Sequence, residues 1–419
     1  MKTIILFPAI GLPIPSIKGG AVEALITDLI DQNEIHKLYN FVVISGWCEG
    51  IEEIQAKYKC TTFIVIKRRF YDDVFYFVYR AIRKLSKRKI APLFLSSQNF
   101  RAFLQIKKLS FDYLICEGGY NFRSFYDMSK TFGKERMLCH LHSVFSPGNY
   151  FRDTFSGYIA ISQFVKDRWE SGLQQVNTPT YVLRNCININ KFLANKDSVD
   201  VRKKYGIPLD AFLIAYVGRI IPVKGVEQLI NAFLKCNIPN KHLLLIGSTN
   251  YGSPEISNYE SRIQKKVKHN VDIITATGFV PNDRLSAFLS RADLIVMPSL
   301  WQEGAGLVAI EALATGVEFL VTNSGGVGEF ARDGYCHKIS KDEYFKQAIP
   351  TDIGDKHILE TDWTEFEAKL CQTIENIASR KIPRPKNAWE YLNEFDSKHY
   401  YQNFDKMISK IDNDSSFSS

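Results

Sequence analysis

The chain has 419 residues, 45% hydrophobic and 23% charged, with a formal net charge of +8. That length corresponds to about two to three domains, and the ordinary globular composition excludes a disordered, collagen-like or coiled-coil protein. No apolar run approaches the ~18 residues that a membrane-spanning helix needs. In chain order, Thr3–Phe7 read as a first buried strand. Pro8, Pro13 and Pro15 break the apolar stretch and no small-residue cleavage site follows, so a secretory signal is not expected. Six more strands are expected at Phe41–Ser45, Thr61–Ile66, Tyr113–Cys116, Met137–His140, Tyr158–Ile161 and Tyr181–Leu183, with helical patterns such as Ala21–Ile30 and Ser162–Ser171 between them. After Asn190 the alternation resumes, with strands at Phe212–Val217, Leu243–Ile246, Asp272–Thr275, Leu294–Met297 and Phe319–Thr322. Helices are expected at Val226–Lys235, Ser257–Lys266, Asn282–Arg291 and Leu307–Ala314.

Strands alternating with helices make βαβ units and parallel sheets. Two such runs predict two α/β domains, 1–190 and 191–386, with the boundary in the polar stretch Asn188–Val201. Residues 387–411 carry Trp389, Tyr391, Phe395, Tyr400 and Phe404 at helical spacing, which predicts a helix that packs on something. The eight cysteines are scattered without a C-x-x-C pair. In a long chain with no signal peptide they read as reduced thiols in a cytosolic protein.

The charge is uneven. Residues 1–190 hold 25 Lys and Arg against 16 Asp and Glu, so the N-terminal half carries the whole positive excess and the rest is near neutral. A one-sided basic surface fits an anionic partner.

The strongest chemical signal is the segment Pro298–Gly316, directly after the strand Leu294–Met297. A glycine-rich loop opening a helix at a strand's C-terminal end offers free backbone N–H groups and the positive helix end to an anion. Glu303 sits in that loop and Glu311 inside the helix, and carboxylates without a metal-ligand pattern suit paired sugar or ribose hydroxyls. The string G-x-G-x-x-A at Gly304–Ala309 is a weak dinucleotide fingerprint. Six residues separate Met297 from Gly304, and Asn323 rather than an acid follows the next strand. A second segment, Gly218-Arg219-Ile220-Ile221-Pro222-Val223-Lys224-Gly225, follows strand Phe212–Val217 and sets two cations at a sheet edge, an arrangement that suits a diphosphate. Lys18-Gly19-Gly20-Ala21 after the first strand allows a close phosphate or sugar approach, and equally a plain strand–helix turn. His140 and His142 share one face at a strand end, and two histidines with no nearby third ligand do not make a zinc site.

Together these segments resemble the retaining glycosyltransferases of family 4, with the GT-B fold, and the resemblance covers nearly the whole chain. Its specific parts are Gly218-Arg219 with Lys224-Gly225, Glu303 through Glu311, and Thr322–Glu329. Ile161-Ser162, Leu183-Arg184-Asn185 and Thr277–Pro281 are also family-like, and Gly19-Gly20-Ala21 and His142 match more loosely. The resemblance implies two Rossmann-like domains facing across a cleft, an acceptor domain and a nucleotide-sugar domain, with the C-terminal helix crossing back to the first. It implies that Gly218, Arg219 and Lys224 bind the donor diphosphate, Glu303 the sugar hydroxyls and Glu311 the ribose hydroxyls. The backbone of Gly304, Ala305, Gly306 and Leu307 would meet the distal phosphate and sugar, Gly20 would approach the phosphate from the other domain, and His142 would sit near the sugar and acceptor. The catalytic set is then Glu303, His142, Arg219 and Lys224. The departures are Ala305 where an aromatic is common, Cys186 where glycine is usual, and Val317-Glu318 in place of a Gly-x-Pro-Val pattern. The one D-x-D is Asp412-Asn413-Asp414 in the tail, so no catalytic metal and no cofactor is expected.

Residues 67–89 hold nine basic side chains and six aromatics. An aromatic and basic helix lies flat on an anionic membrane, each basic residue contributing roughly 1 kcal/mol. Arg68, Arg69, Arg83 and Lys84 are the expected membrane-surface residues, and no nucleic-acid motif accompanies them. The expectation is a cytoplasmic enzyme held peripherally on the inner face of a bacterial membrane. It would take a UDP-sugar as donor and a saccharide, lipid-linked, as acceptor in surface polysaccharide synthesis. The alternatives are a nucleotide-sugar epimerase of the same fold and a non-catalytic saccharide- or nucleotide-binding module.

Overall fold

A computed structural model describes residues 1–72, 74, 77–78, 97–118, 122–144, 154–172, 178–249, 256–340 and 355–416. The chain forms two compact units, Met1–Asn185 with Ser397–Ser419, and Cys186–Asp396.

The first unit is a seven-stranded parallel sheet in the order β3-β2-β1-β4-β5-β6-β7. Its strands are β1 Lys2–Pro8, β2 Tyr39–Gly46, β3 Thr61–Ile66, β4 Tyr113–Glu117, β5 Met137–Leu141, β6 Gly157–Ala160 and β7 Thr180–Val182. The central strands are continuous apolar runs such as Ile4-Ile5-Leu6, fully buried because helices cover both faces of the sheet. Helix α1, Ala21–His36, follows β1. The C-terminal helix Ser397–Ser416 packs on α1 and runs along the N-terminal edge of this sheet. Its carboxylates Asp405, Asp412 and Asp414 accept hydrogen bonds from the hydroxyls of Tyr39, Tyr113 and Tyr181, at 2.7, 2.8 and 2.7 Å. Tyr401 donates to Asn33 of α1 at 2.6 Å. One edge of the sheet is thereby sealed, and its C-terminal edge is left for loops.

The second unit is a six-stranded parallel sheet in the order β10-β9-β8-β11-β12-β13. The strands are β8 Phe212–Val217, β9 Lys241–Ile246, β10 Ile274–Gly278, β11 Leu294–Met297, β12 Glu318–Asn323 and β13 His337–Ser340. Alternate residues of β8 enter opposite cores: Leu213 and Ala215 pack with Phe288, Ile310 and Phe330, while Ile214 and Tyr216 pack with Leu229, Phe233 and Phe366. Both sheets reverse their winding once, between β1 and β4 and between β8 and β11. In open α/β sheets such switch points, at the carboxyl ends of the strands, are where ligands bind.

One expectation needs correction. The helix expected over 387–411 is two pieces, a short helix Trp389–Leu392 and the long one from Ser397. Asp396 between them is extended, its carboxylate accepting from the Ile189 N–H at 3.2 Å, and this tie interrupts the helix. The odd Glu318 opens β12 and is buried, with His337 of the unforeseen strand β13 donating at 2.9 Å and Arg380 at 2.5 Å. Burial pushes the Glu318 carboxyl up, but these two donors hold it below the ordinary carboxylate range. Among the described residues no helix is long and apolar enough to cross a membrane.

Candidate functional site

The switch point of the second unit is built by close backbone approaches. Gly218 follows β8 with φ 149°, and Gly247 follows β9 with φ 135°. A Cβ on Gly247 would lie 2.0 Å from the Gly218 carbonyl oxygen, so neither loop admits a side chain there. The buried Tyr216 hydroxyl donates to the Arg219 carbonyl at 2.8 Å and fixes the start of the β8 loop. That loop tightens into a turn at Pro222–Lys224 and ends at Gly225, φ 69°, which opens helix α2, Val226–Lys235. A Cβ on Gly225 would lie 2.0 Å from the Pro298 carbonyl oxygen, and the Leu300 N–H donates to the Val223 carbonyl at 2.9 Å. The loop after β8 is therefore bonded to the loop after β11.

This contact brings the two sequence motifs together. Lys224 Nζ lies 2.6 Å from Glu303 Oε1, and Ser299 Oγ donates to the same oxygen at 2.6 Å. The Glu303 carbonyl accepts from the Gly326 N–H at 2.8 Å, and the Ser324 hydroxyl donates to the Trp301 carbonyl, which ties in the loop after β12. Burial pushes the Glu303 carboxyl up, but the Lys224 ammonium, with Ser299, holds it below the ordinary range. Lys224 and Glu303 are expected to hold separate parts of a donor; in the structure they form one ion pair, Glu303 buried and Lys224 half-buried.

Helix α3, Leu307–Ala314, begins at Gly306 with no side chain capping it, so its first N–H groups are free for an anion. Ala305 and Leu307 are half-buried against the core on that side, and Gly304 is half-buried beside them. Glu311 lies in the second turn, and burial alone pushes its carboxyl up to about 7.

The remaining expected residues lie in the first unit. Gly20 opens α1 with φ 101°, and a Cβ there would lie 2.1 Å from Glu23 Oε2. The Glu23 carboxyl lies against Gly20, and burial pushes it above its ordinary value. His142, just past β5, and His140 both contact Glu117 Oε2 at 2.8 Å. The sequence reading foresaw no third group beside these histidines. Glu117 arrives from β4, a neighbouring strand 25 residues from His142, and its only sequence signal is an acid at a strand end before glycine. Ser299 was inside the quoted motif but assigned no role. Arg68 and Arg69 are exposed, Arg69 donating to the Tyr71 hydroxyl at 2.7 Å, while Arg83 and Lys84 lie outside the described residues. Among the described residues, two groups bring three metal-capable atoms within 4.8 Å of one another: Glu117, His140 and His142, and Cys236, Cys371 and Glu375.

Known proteins carry the same architecture. Residues 197–353 match the family model described as glycosyl transferases group 1. The lipopolysaccharide 1,2-N-acetylglucosaminetransferase of Salmonella typhimurium is 31% identical over 263 residues, 60% of this chain and 67% of that protein. The crystal structure of Anabaena HepE in complex with UDP-glucose aligns with a TM-score of 0.63 at 16% identity, covering 98% of this chain and 100% of that one. The lipopolysaccharide outer core galactosyltransferase WaaB aligns with a TM-score of 0.58 at 14% identity, covering 97% and 99%. The chain belongs to the group 1, or family 4, glycosyltransferases of GT-B fold, enzymes that move a sugar from a nucleotide-sugar donor.

The raised Glu311 carboxyl has a measurable consequence. In the folded chain it holds its proton up to about pH 7, whereas the unfolded chain loses it near 4.5. Between these values the folded state binds more protons, so wild-type stability falls as pH rises. Glu311→Gln removes this loss. Urea unfolding should show the variant gaining on wild type between pH 5 and pH 8, by about 3 kcal/mol at most. A difference independent of pH would contradict the burial of this carboxyl.

Proposed function

We propose that the chain moves a sugar from a UDP-sugar to a saccharide acceptor, lipid-linked, at the inner face of a bacterial membrane during surface polysaccharide synthesis. The observation that carries the donor reading is the Lys224–Glu303 pair at the switch point, beside the uncapped start of α3. An ammonium has three donors, and Glu303 takes one, so two remain for a diphosphate. Arg219 would add a bidentate cation. Glu303 would accept sugar hydroxyls, Glu311 the ribose hydroxyls, and the backbone from Gly304 to Leu307 the distal phosphate. Gly20 would face the phosphate and His142 the sugar from the first unit. UDP is the favoured nucleotide because a structure of the same fold, HepE, holds UDP-glucose. The surface polysaccharide reading is favoured by likeness to a lipopolysaccharide N-acetylglucosaminetransferase.

In this reading the bond from the sugar C1 to the β-phosphate oxygen breaks, and the acceptor oxygen bonds to C1 on the same face. The acceptor proton passes to the departing β-phosphate. Fixed cations and N–H groups stabilise the charge that develops there, without a metal. At 100-fold excess over Kd, UDP-glucose should stabilise wild type by about 2.7 kcal/mol, unchanged by EDTA. Lys224→Ala should lose most of that shift. An undiminished shift in the variant, or a requirement for Mn²⁺ or Mg²⁺, would contradict the site.

The membrane reading rests on residues 67–89 and on the apolar side chains exposed among their charges. Phe70 and Phe77 are 85% and 75% exposed. Lys67 lies over the Trp47 ring at 3.9 Å. Wild type should co-sediment with anionic but not neutral liposomes, less so as salt screens the attraction over ~8 Å. Changing Arg68, Arg69, Arg83 and Lys84 to Gln should cut that binding severalfold. Equal sedimentation of the two proteins would refute a membrane role.

A further inference from the structure

The switch point of the first unit carries its own buried cluster. Glu117 ends β4, pairing in register with Pro8 of β1 on one side and His140 of β5 on the other. Its Oε2 accepts from both His140 Nδ1 and His142 Nε2, and the two rings are tilted at 43° to each other with centroids 4.1 Å apart. Glu117 is 5% exposed and His140 2%. The His142 side chain keeps 11% of its surface.

The chemistry of one oxygen settles the protons. An ionised carboxylate only accepts hydrogen bonds, so both contacting nitrogens must carry hydrogen. Burial works against ionisation of Glu117, but the imidazoles, His140 foremost, hold its carboxyl down at about 2. His142 is pushed down to about 4 by burial and by His140, against the pull of Glu117, so it is neutral near pH 7. A neutral imidazole with hydrogen on Nε2 has its lone pair on Nδ1.

We propose that Glu117 is a positioning residue of the transfer reaction: it locks His142 as the Nε2–H tautomer, which leaves Nδ1 to accept a hydrogen bond from a saccharide hydroxyl. This rests on the reading of His142 as the residue that faces the sugar. His140 holds the shared carboxylate from the strand alongside. A third group that fixes the tautomer of a functional histidine is the logic of catalytic triads, here with a sugar hydroxyl rather than an enzyme nucleophile beyond the ring.

A metal ion on the same three atoms fits less well. It would displace hydrogen from His140 Nδ1 to His140 Nε2. That atom is buried and has no partner among the described residues. Metal-bound histidines normally donate from their second nitrogen to an acceptor.

The test uses the full chain labelled with ¹⁵N-histidine, with His142 assigned by its loss in His142→Gln. At pH 7.5 the His142 Nδ1 resonance should be that of an unprotonated nitrogen and Nε2 that of a protonated one, with no change on adding Zn²⁺. The rate is read as UDP release from UDP-glucose with water as acceptor. Glu117→Leu, checked for folding by urea unfolding, should lower kcat at least tenfold, with donor KM moving less than threefold, and should let His142 populate both tautomers. Glu117→Gln keeps an acceptor oxygen and should restore part of the rate. A protonated Nδ1 in wild type, or Zn²⁺ shifting both histidines, overturns the assignment of Glu117. So does a wild-type kcat in Glu117→Leu when His142→Gln is slow. A wild-type kcat in His142→Gln, with the tautomer as expected, instead removes the underlying reading of His142 and the positioning role with it.

Discussion

The ion pair of half-buried Lys224 with buried Glu303 is the interaction on which the proposed donor site of the second unit depends. It joins the loop after β8 to the loop after β11, across the point where the sheet reverses its winding. Such a pair is weak evidence for stability, because removing two charges from water costs several kcal/mol per ion. Its value lies in position. The glycines at 218, 225 and 247 let three strand ends approach until only backbone fits between them, and Ser299 adds a second bond to the same carboxylate oxygen. A cation and an anion are thereby held at fixed places beside a helix start that has free N–H groups. A site prepared this way needs little reorganisation when charge develops on a leaving diphosphate.

The two units solve the same problem with different groups. Each is a parallel sheet that reverses its winding once, and ligands of such sheets bind at the carboxyl ends of the strands. In the first unit the helix from Ser397 closes the opposite edge through tyrosine–aspartate bonds. Both switch points bury a carboxylate, Glu117 in one and Glu303 in the other. One is paired with imidazoles and the other with an ammonium.

Much of this was legible in the sequence. Strands Phe212–Val217 and Leu294–Met297 and helices Val226–Lys235 and Leu307–Ala314 were read to their end residues, because unbroken apolar runs and glycine stops mark buried parallel strands and their helices. The family motifs lie on those boundaries. Strand β13 was missed because His337-Lys338-Ile339-Ser340 is short and polar, as a sheet edge permits. Glu117 was missed because its meaning comes from strand order: β4 lies beside β5 only in the folded sheet. The pairing of Lys224 with Glu303 was hidden for the same reason, 79 residues of chain separating them. Periodicity reports local structure, and contacts between distant loops have no period.

The loops after β8 and β11 are proposed to receive the nucleotide diphosphate. Amide hydrogen exchange on the full chain, with and without saturating UDP-glucose, tests this directly. The account predicts slowed exchange in peptides covering residues 218–226 and 303–311, from N–H groups that take up the phosphates and from the tightened Lys224–Glu303 contact. Protection that falls elsewhere in the second unit and spares both segments would contradict it.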